Sequence, residues 1–304
     1  MEIKIFHVEK EDDGLRLDRW FHRNVPNMPF TIVAKLARKG QIRIDSKRVK
    51  INSKVIYNQK IRTPIIEYQN QRQISDIKPS NFEDIKNKIF NSIIHEDEHI
   101  IALNKPYDLC VQDGSNVKIS IDRVLKLSGF KYHIVHRIDK ETTGLLIIAK
   151  NANIAAKISK LFRDKKINKS YLSVLCGIPK SQQGIIESKI NILDKEYDAK
   201  TQFKVISEYK NIFSLVKFTP LTGRKHQIRI HSKSINCPIL GDNKHFNFKS
   251  KQEIQKSDHL HLHSYLLSFN LYNKNYMLKA KIPKHFQQMI EKYFPTHNLE
   301  NYDK

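Results

Sequence analysis

HRIDKETTGLLIIAK, residues 136–150, runs a basic pair into one acid, Asp139, then a threonine-rich turn and the apolar run Leu145 to Ala149. That run is far short of the roughly 20 residues a membrane helix needs, and its length and Leu/Ile content predict a buried strand. A carboxylate held by a loop against such a strand, with cationic neighbours, stays ionised near neutral pH. An ionised, oriented carboxylate can serve as a nucleophile. The competing reading is an Asp that merely caps a turn through Asp139, Thr142 and Gly144, as turn aspartates usually do.

The rest of the chain bears on that choice. Its 304 residues suffice for two domains and a sizeable core. Lys and Arg number 54 against 31 Asp and Glu, a net charge of +23 with a pI near 9.8. Such a balance suits a polyanionic partner. The chain is also rich in Lys, Ile and Asn throughout, so clustered charge is a better guide than the total. Three cysteines, Cys110, Cys176 and Cys237, are far apart and form no CxxC pair. That argues against a disulfide framework or zinc knuckle and for a reducing compartment. The opening MEIKIFHVEKEDDG alternates like a strand and carries acids early, unlike a signal peptide. The expectation is a soluble, cytoplasmic protein facing nucleic acid, with no membrane partner.

Between Gly14 and about Ile65 a small unit is expected. Leu17, Trp20, Phe21 and Val25 recur at helical spacing, and a second helix ends at Gly40. Lys35, Arg38 and Lys39 fall at i, i+3 and i+4 on one face of that second helix. Ile42 and Ile44, a turn at Asp45 to Lys47, and Val49 and Ile51 predict a hairpin that also presents Arg43, Lys47 and Arg48. Residues 71–88 are polar, without periodicity, and read as a linker. Strand-like runs follow at Ile100 to Leu103, Leu145 to Ala149, Tyr171 to Leu175, Thr201 to Ile206, Phe213 to Phe218 and His259 to Phe269. Ile154, Ile158, Leu161 and Phe162 mark an amphipathic helix. In GRKHQIRIH, Lys225, Gln227 and Arg229 alternate with His226, Ile228 and Ile230, which predicts a strand.

Two resemblances draw these pieces together. The stretch RLDRW…LARKGQIRIDSKRVK resembles the S4 RNA-binding domain, two helices and a hairpin with a basic face. Behind it, IIHEDEHIIALNKP (93–106), the 136–150 segment and LTGRKHQIRIHSKSINCPILGD (221–242) together resemble the RluA/RluC/RluD family of pseudouridine synthases, the RluC-type enzymes most. The implied fold class is α+β: an S4-like domain over residues 1–70, the linker at 71–88, and a catalytic domain over 89–304. In that domain a mixed, largely antiparallel central sheet is flanked by helices.

The resemblance implies isomerisation of uridines in 23S, large-subunit ribosomal RNA, with Asp139 as nucleophile and no cofactor or metal. Whether the carboxylate attacks the base at C6 or the sugar at C1′ is left open. Arg137 falls on the residue that fills the gap left by a flipped uridine, the alternative being a plain phosphate contact. Flipping is required because the glycosidic bond is out of reach in a stacked helix. Tyr171 falls on the active-site tyrosine, although locally it could be a core residue of a strand. Arg229 falls on the arginine expected to pair with Asp139, although its local pattern also suits a solvated strand residue. Arg224, at the glycine turn, suits an RNA or structural contact. The chain departs from the family at Asp108, where a glycine usually follows the Lys105-Pro106 pair. A monomer acting on ribosomal RNA is expected.

Three rivals remain open at this level. His259, His261 and His263 alternate in DHLHLH and could ligate zinc on one strand face. A non-catalytic S4-type binding or ribosome-assembly factor would share the basic surface. A synthase acting on transfer RNA would share every motif.

Overall fold

A computed structural model describes residues 3–25, 28, 30–64, 79–113, 117, 119–130, 132–192, 195–245 and 257–295. It forms two compact units that divide between Asp76 and Ile77.

In the first unit, β1 (Ile3–His7), α1 (Leu17–Asn24), α2 (Phe30–Arg38), β2 (Arg43–Ile44), β3 (Lys47–Arg48) and β4 (Lys60–Pro64) surround one small core. The sheet runs in the order β1-β4-β2-β3. Trp20 sits in the core, edge-on to Phe6 and Phe21, with Leu17, Val33, Leu36, Ile42, Val55 and Ile61 around it. The β2–β3 hairpin closes through Asp45 and Ser46, both at positive φ (46° and 64°), the backbone that a tight two-residue hairpin requires. The Asp45 carboxylate accepts from the Lys60 amide and so fastens the turn to β4.

The second unit holds α3 (Pro79–Phe90), β5 (Ile93–Glu96), β6 (Ile100–Lys105), α4 (Ile121–Leu127), β7 (His133–Ile134), β8 (Thr143–Ala149), α5 (Ala152–Arg163), β9 (Asn168–Cys176), β10 (Gln183–Ile192), β11 (Lys195–Tyr209), β12 (Phe213–Pro220), α6 (Gln227–Ser234), β13 (Leu262–Leu271), β14 (Lys274–Lys279) and α7 (Lys284–Tyr293). Ten strands form one mixed sheet in the order β10-β11-β12-β9-β13-β8-β6-β5, with β14 on β13 and β7 on β8. β8 and β13 run parallel, and the other described ladders are antiparallel.

All seven residues of β8 are buried, because both faces of the sheet are covered there. Leu145 and Ile147 pack with Ile154 and Ile158 of α5, while Leu146 and Ile148 pack with Val124 of α4 and Ile89 of α3. Gly144 lets β13 approach. At φ 104° a Cβ there would lie 2.2 Å from the Ser264 carbonyl oxygen.

Two expectations need correction. The linker read over 71–88 is shorter than expected, since residues 79–90 form α3, while 71–78 lie outside the described residues. The strand read in GRKHQIRIH is the helix α6. Its buried residues are Gln227, Ile228, Arg229, His231 and Ser232, and most are polar. Tertiary hydrogen bonds, not an apolar stripe, hold the helix down, so its periodicity is hidden. Gln227 alone accepts from Thr222 and Arg224 and donates to Lys200 and Thr201.

Candidate active site

Asp139 lies near the end of the loop that joins β7 to β8. The Thr142 amide donates to the Asp139 carbonyl at 3.1 Å, which closes the turn read from the sequence. His136 fixes the other end of the loop. Its Nε2 accepts from the Ile147 amide at 2.8 Å, and its ring lies against Phe162. Burial pushes this imidazole down to about 3, so it stays a neutral acceptor.

A second tie comes from below. Lys105 is fully buried, and its Nζ donates to the carbonyls of Pro106, Leu109 and Lys140 at 2.8, 3.0 and 2.9 Å. Burial pulls its ammonium down to about 7. Asp108 takes up the left-handed backbone (φ 61°) that a glycine would adopt easily, and its carboxylate meets the Lys140 ammonium at 2.7 Å. The turn therefore survives without its usual glycine.

The Asp139 carboxyl opens into a cleft of about 1090 Å³. Arg137, Tyr171, Arg224 and Arg229 all line it, so the structure brings the expected active-site residues together. Arg137 is exposed at the rim. Tyr171 reaches the cleft from β9, and burial lifts its phenol to about 12, so it stays protonated. Arg224 donates to the Asp198 carbonyl and lies over the Tyr197 ring. The sequence reading missed the opposite wall, where Phe162, Arg163, Lys165 and Lys169 add an aromatic ring and three cations, and also His226, Lys244 and His245.

Arg229 departs from its expected role. It is 1% exposed and forks onto Asp242 with two hydrogen bonds, and its remaining Nη1 donates to Glu141 at 2.6 Å. Its ion pairs are to these two acids, and it acts on Asp139 through charge across space. The group closest to Asp139 in charge-pairing distance is His226, with Nε2 3.8 Å from Oδ1. Burial lifts the Asp139 carboxyl above its ordinary value, with Arg229, Arg137 and Lys225 drawing it down and Glu141 pushing it up. Desolvation thus outweighs the cationic neighbours that the sequence pointed to.

Two of the DHLHLH histidines, His261 and His263, are buried. His263 has its Nδ1 on the Thr143 hydroxyl and Nε2 on the Ala280 carbonyl. His261 has its Nδ1 on the His259 carbonyl. Among the described residues, no three His, Cys, Asp or Glu side chains are arranged to hold a metal ion.

A profile of the RNA pseudouridylate synthase family matches residues 99–234, the span that holds Asp139, Tyr171 and Arg229. The ribosomal large subunit pseudouridine synthase C of Rickettsia typhi is 32% identical over 90% of this chain and 96% of its own. The chain belongs to the RNA pseudouridylate synthase family. The homologue of the same name from Rickettsia bellii is 34% identical, with the same coverage of both chains. Among solved structures, Human RNA Pseudouridylate Synthase Domain Containing 4 is 26% identical, with a TM-score of 0.59 over 70% of this chain and 97% of that one. As a pseudouridine synthase the chain is an isomerase of RNA, and its sheet, mixed and largely antiparallel with flanking helices, is the fold expected for that family.

Proposed function

We propose that this enzyme converts uridines of large-subunit ribosomal RNA to pseudouridine, with Asp139 as its nucleophile. The observation that carries the reading is one partly buried carboxylate in a cleft whose other charged walls are cationic. A polyanion enters such a cleft favourably, and the acid awaits the base that is flipped into it. The names borne by the Rickettsia relatives support ribosomal RNA of the large subunit as substrate.

The reaction breaks N1–C1′, forms C5–C1′, removes the proton from C5 and returns one to N1. Asp139 makes the transient bond that holds base or sugar during the rearrangement. Arg137, exposed at the rim, fills the gap in the RNA stack. Tyr171, whose phenol burial pushes up, positions the flipped base by stacking. Arg229 is a positioning residue that ties the Glu141 end of the Asp139 turn to Asp242. Arg224 takes a phosphate.

The N-terminal unit is read as an S4-like RNA-binding domain. Lys35, Arg38, Lys39, Lys47 and Arg48 are exposed for phosphate contact. Arg43 is partly diverted, since it donates to the Gly40 and Ser46 carbonyls and braces the hairpin. The enzyme works as a monomer in the cytoplasm, and no helix among the described residues is long and apolar enough to cross a membrane.

The test uses transcripts of large-subunit ribosomal RNA and of transfer RNA, each carrying uridine tritiated at C5. Release of tritium from the ribosomal transcript alone is expected. Release from transfer RNA alone would overturn the substrate, and release from neither would overturn the activity on naked RNA.

A further inference from the structure

His226 precedes α6 in a left-handed backbone, φ 53° and ψ 21°. That conformation is uncommon for a residue with a side chain, and such strain persists only where its surroundings hold it. Here it aims the imidazole at two partners. Nε2 lies 3.8 Å from Asp139 Oδ1, and Nδ1 lies 2.7 Å from His245 Nε2. The two rings meet edge to face at 83°. His245 is anchored in turn, because the amides of Lys244 and His245 both donate to Asp242, the acid that Arg229 grips.

We propose that His226 and His245 are positioning residues for Asp139, a tautomerically locked imidazole pair that orients its carboxylate and favours its ionised form. The inference rests on the reading of Asp139 as nucleophile. A neutral imidazole carries one N–H, so the short contact between the rings permits two arrangements. In one, His245 donates from Nε2 to His226 Nδ1, and the His226 proton sits on Nε2, facing Asp139. In the other, His226 donates to His245 and turns a lone pair toward the carboxylate. An ionised Asp139 repels that lone pair and selects the first. His245, which does not pair with Asp139, serves that choice by supplying the proton that His226 Nδ1 accepts.

The charges around the pair keep both rings neutral. Burial, then Arg229, His245, Lys244 and Lys225, push His226 down to about 3. Burial, Arg229, Lys244 and Lys233 lower His245, with Asp242 opposing. Arg229, Arg137, Lys225 and Glu141 bear on Asp139 itself. At 3.8 Å the neutral His226 N–H lies beyond hydrogen-bond length from Asp139 Oδ1, so it faces the carboxylate as a dipole and becomes a donor to it only when the cleft tightens around RNA.

Two measurements test the pair. In wild-type protein labelled with 15N-histidine, the ring-nitrogen shifts at pH 7 report a protonated Nε2 and a bare Nδ1 for His226. The reverse tautomer, or a doubly protonated ring, overturns the proposal. Single-turnover rates on ribosomal RNA between pH 5 and 8 are then compared. Losing the donor makes ionisation of Asp139 harder, so His226→Leu and His245→Phe move the acid limb to higher pH by about one unit, about a tenfold loss of rate on that limb. His226→Gln and His245→Gln, which keep a donor near the same place, shift it less. A loss that is equal at every pH marks a merely structural role and overturns the pair, as does an unmoved profile. Asp139→Asn separates the two claims. If it still turns over, the nucleophile reading falls first; if it is inactive while the profiles stay unmoved, the pair alone falls.

Discussion

The cleft around Asp139 and the basic face of the N-terminal unit, both proposed to meet RNA, hold their charge in opposite ways. At the cleft one ion set is buried and matched, since the side chains of Arg229 and Asp242 are each 1% exposed and are joined by two hydrogen bonds, while Arg137 and Lys225 on the cleft walls are exposed. On the N-terminal unit Lys35, Arg38, Lys39, Lys47 and Arg48 stand in solvent. Removing one member of a buried set strands its partner in a medium that cannot solvate it. An exposed cation contributes little more than its own counterion release. The same residue types therefore perform unlike tasks, and the cleft should be brittle where the outer face is graded.

The sharpest break falls on turnover. Asp139→Asn is nearly isosteric and removes the proposed nucleophile, so the single-turnover rate is expected to fall by more than about a thousandfold. RNA affinity, read by filter binding, stays within severalfold of wild type because the cations are untouched.

Next comes stability. Arg229→Met leaves Asp242 and Glu141 without their cation, and a buried charge without its partner costs about 3–5 kcal/mol. Urea unfolding measures it. A loss below about 1 kcal/mol would show that the cleft behaves like the exposed face, where single ion pairs are worth that little.

A smaller effect depends on pH. The folded state pulls Lys105 down to about 7 from 10.5, so between these values the unfolded chain binds the extra proton. Wild-type stability, relative to Lys105→Met, then rises with pH through that window by roughly 1 kcal/mol per unit. Below about 7 both states bind the proton and the dependence levels off. Unfolding of both proteins at pH 7.5 and pH 9 (about one and a half units apart, within reach of the linkage slope) decides the sign.

The smallest effects belong to the outer face. Each of Lys35→Ala, Arg38→Ala and Lys39→Ala should weaken RNA binding severalfold and lower the slope of log affinity against log salt by about 0.7–0.9. Stability should barely move.

What could be read in the sequence follows the same division. β8 was legible because burial on both faces leaves an unbroken apolar run. α5 was legible because Ile154, Ile158, Leu161 and Phe162 repeat at helical spacing, behind an Asn151 side chain that caps the helix. The hairpin at Asp45 and Ser46 announced itself through its turn residues. α6 did not, because its buried face is Gln227, Arg229, His231 and Ser232, which look solvated until their partners are known. α3 was lost in the linker for a similar reason, its polar residues masking Phe82, Ile85 and Ile89 on one face. In the site, Asp139 and Tyr171, which the motifs propose, both line the cleft. The partners of Arg229 and the contact between His226 and His245, nineteen positions apart, depend on how distant loops meet. No local pattern carries that information.

The central claim, that Asp139 makes this chain a synthase of large-subunit ribosomal RNA, is tested most directly by carbodiimide and reverse-transcription mapping of pseudouridine. The ribosomal RNA comes from cells that lack the protein and from the same cells restored with the wild type or with Asp139→Asn. The account predicts sites that vanish in its absence and return with the wild type alone. A map that is unchanged by the loss, or restored equally by Asp139→Asn, would contradict it.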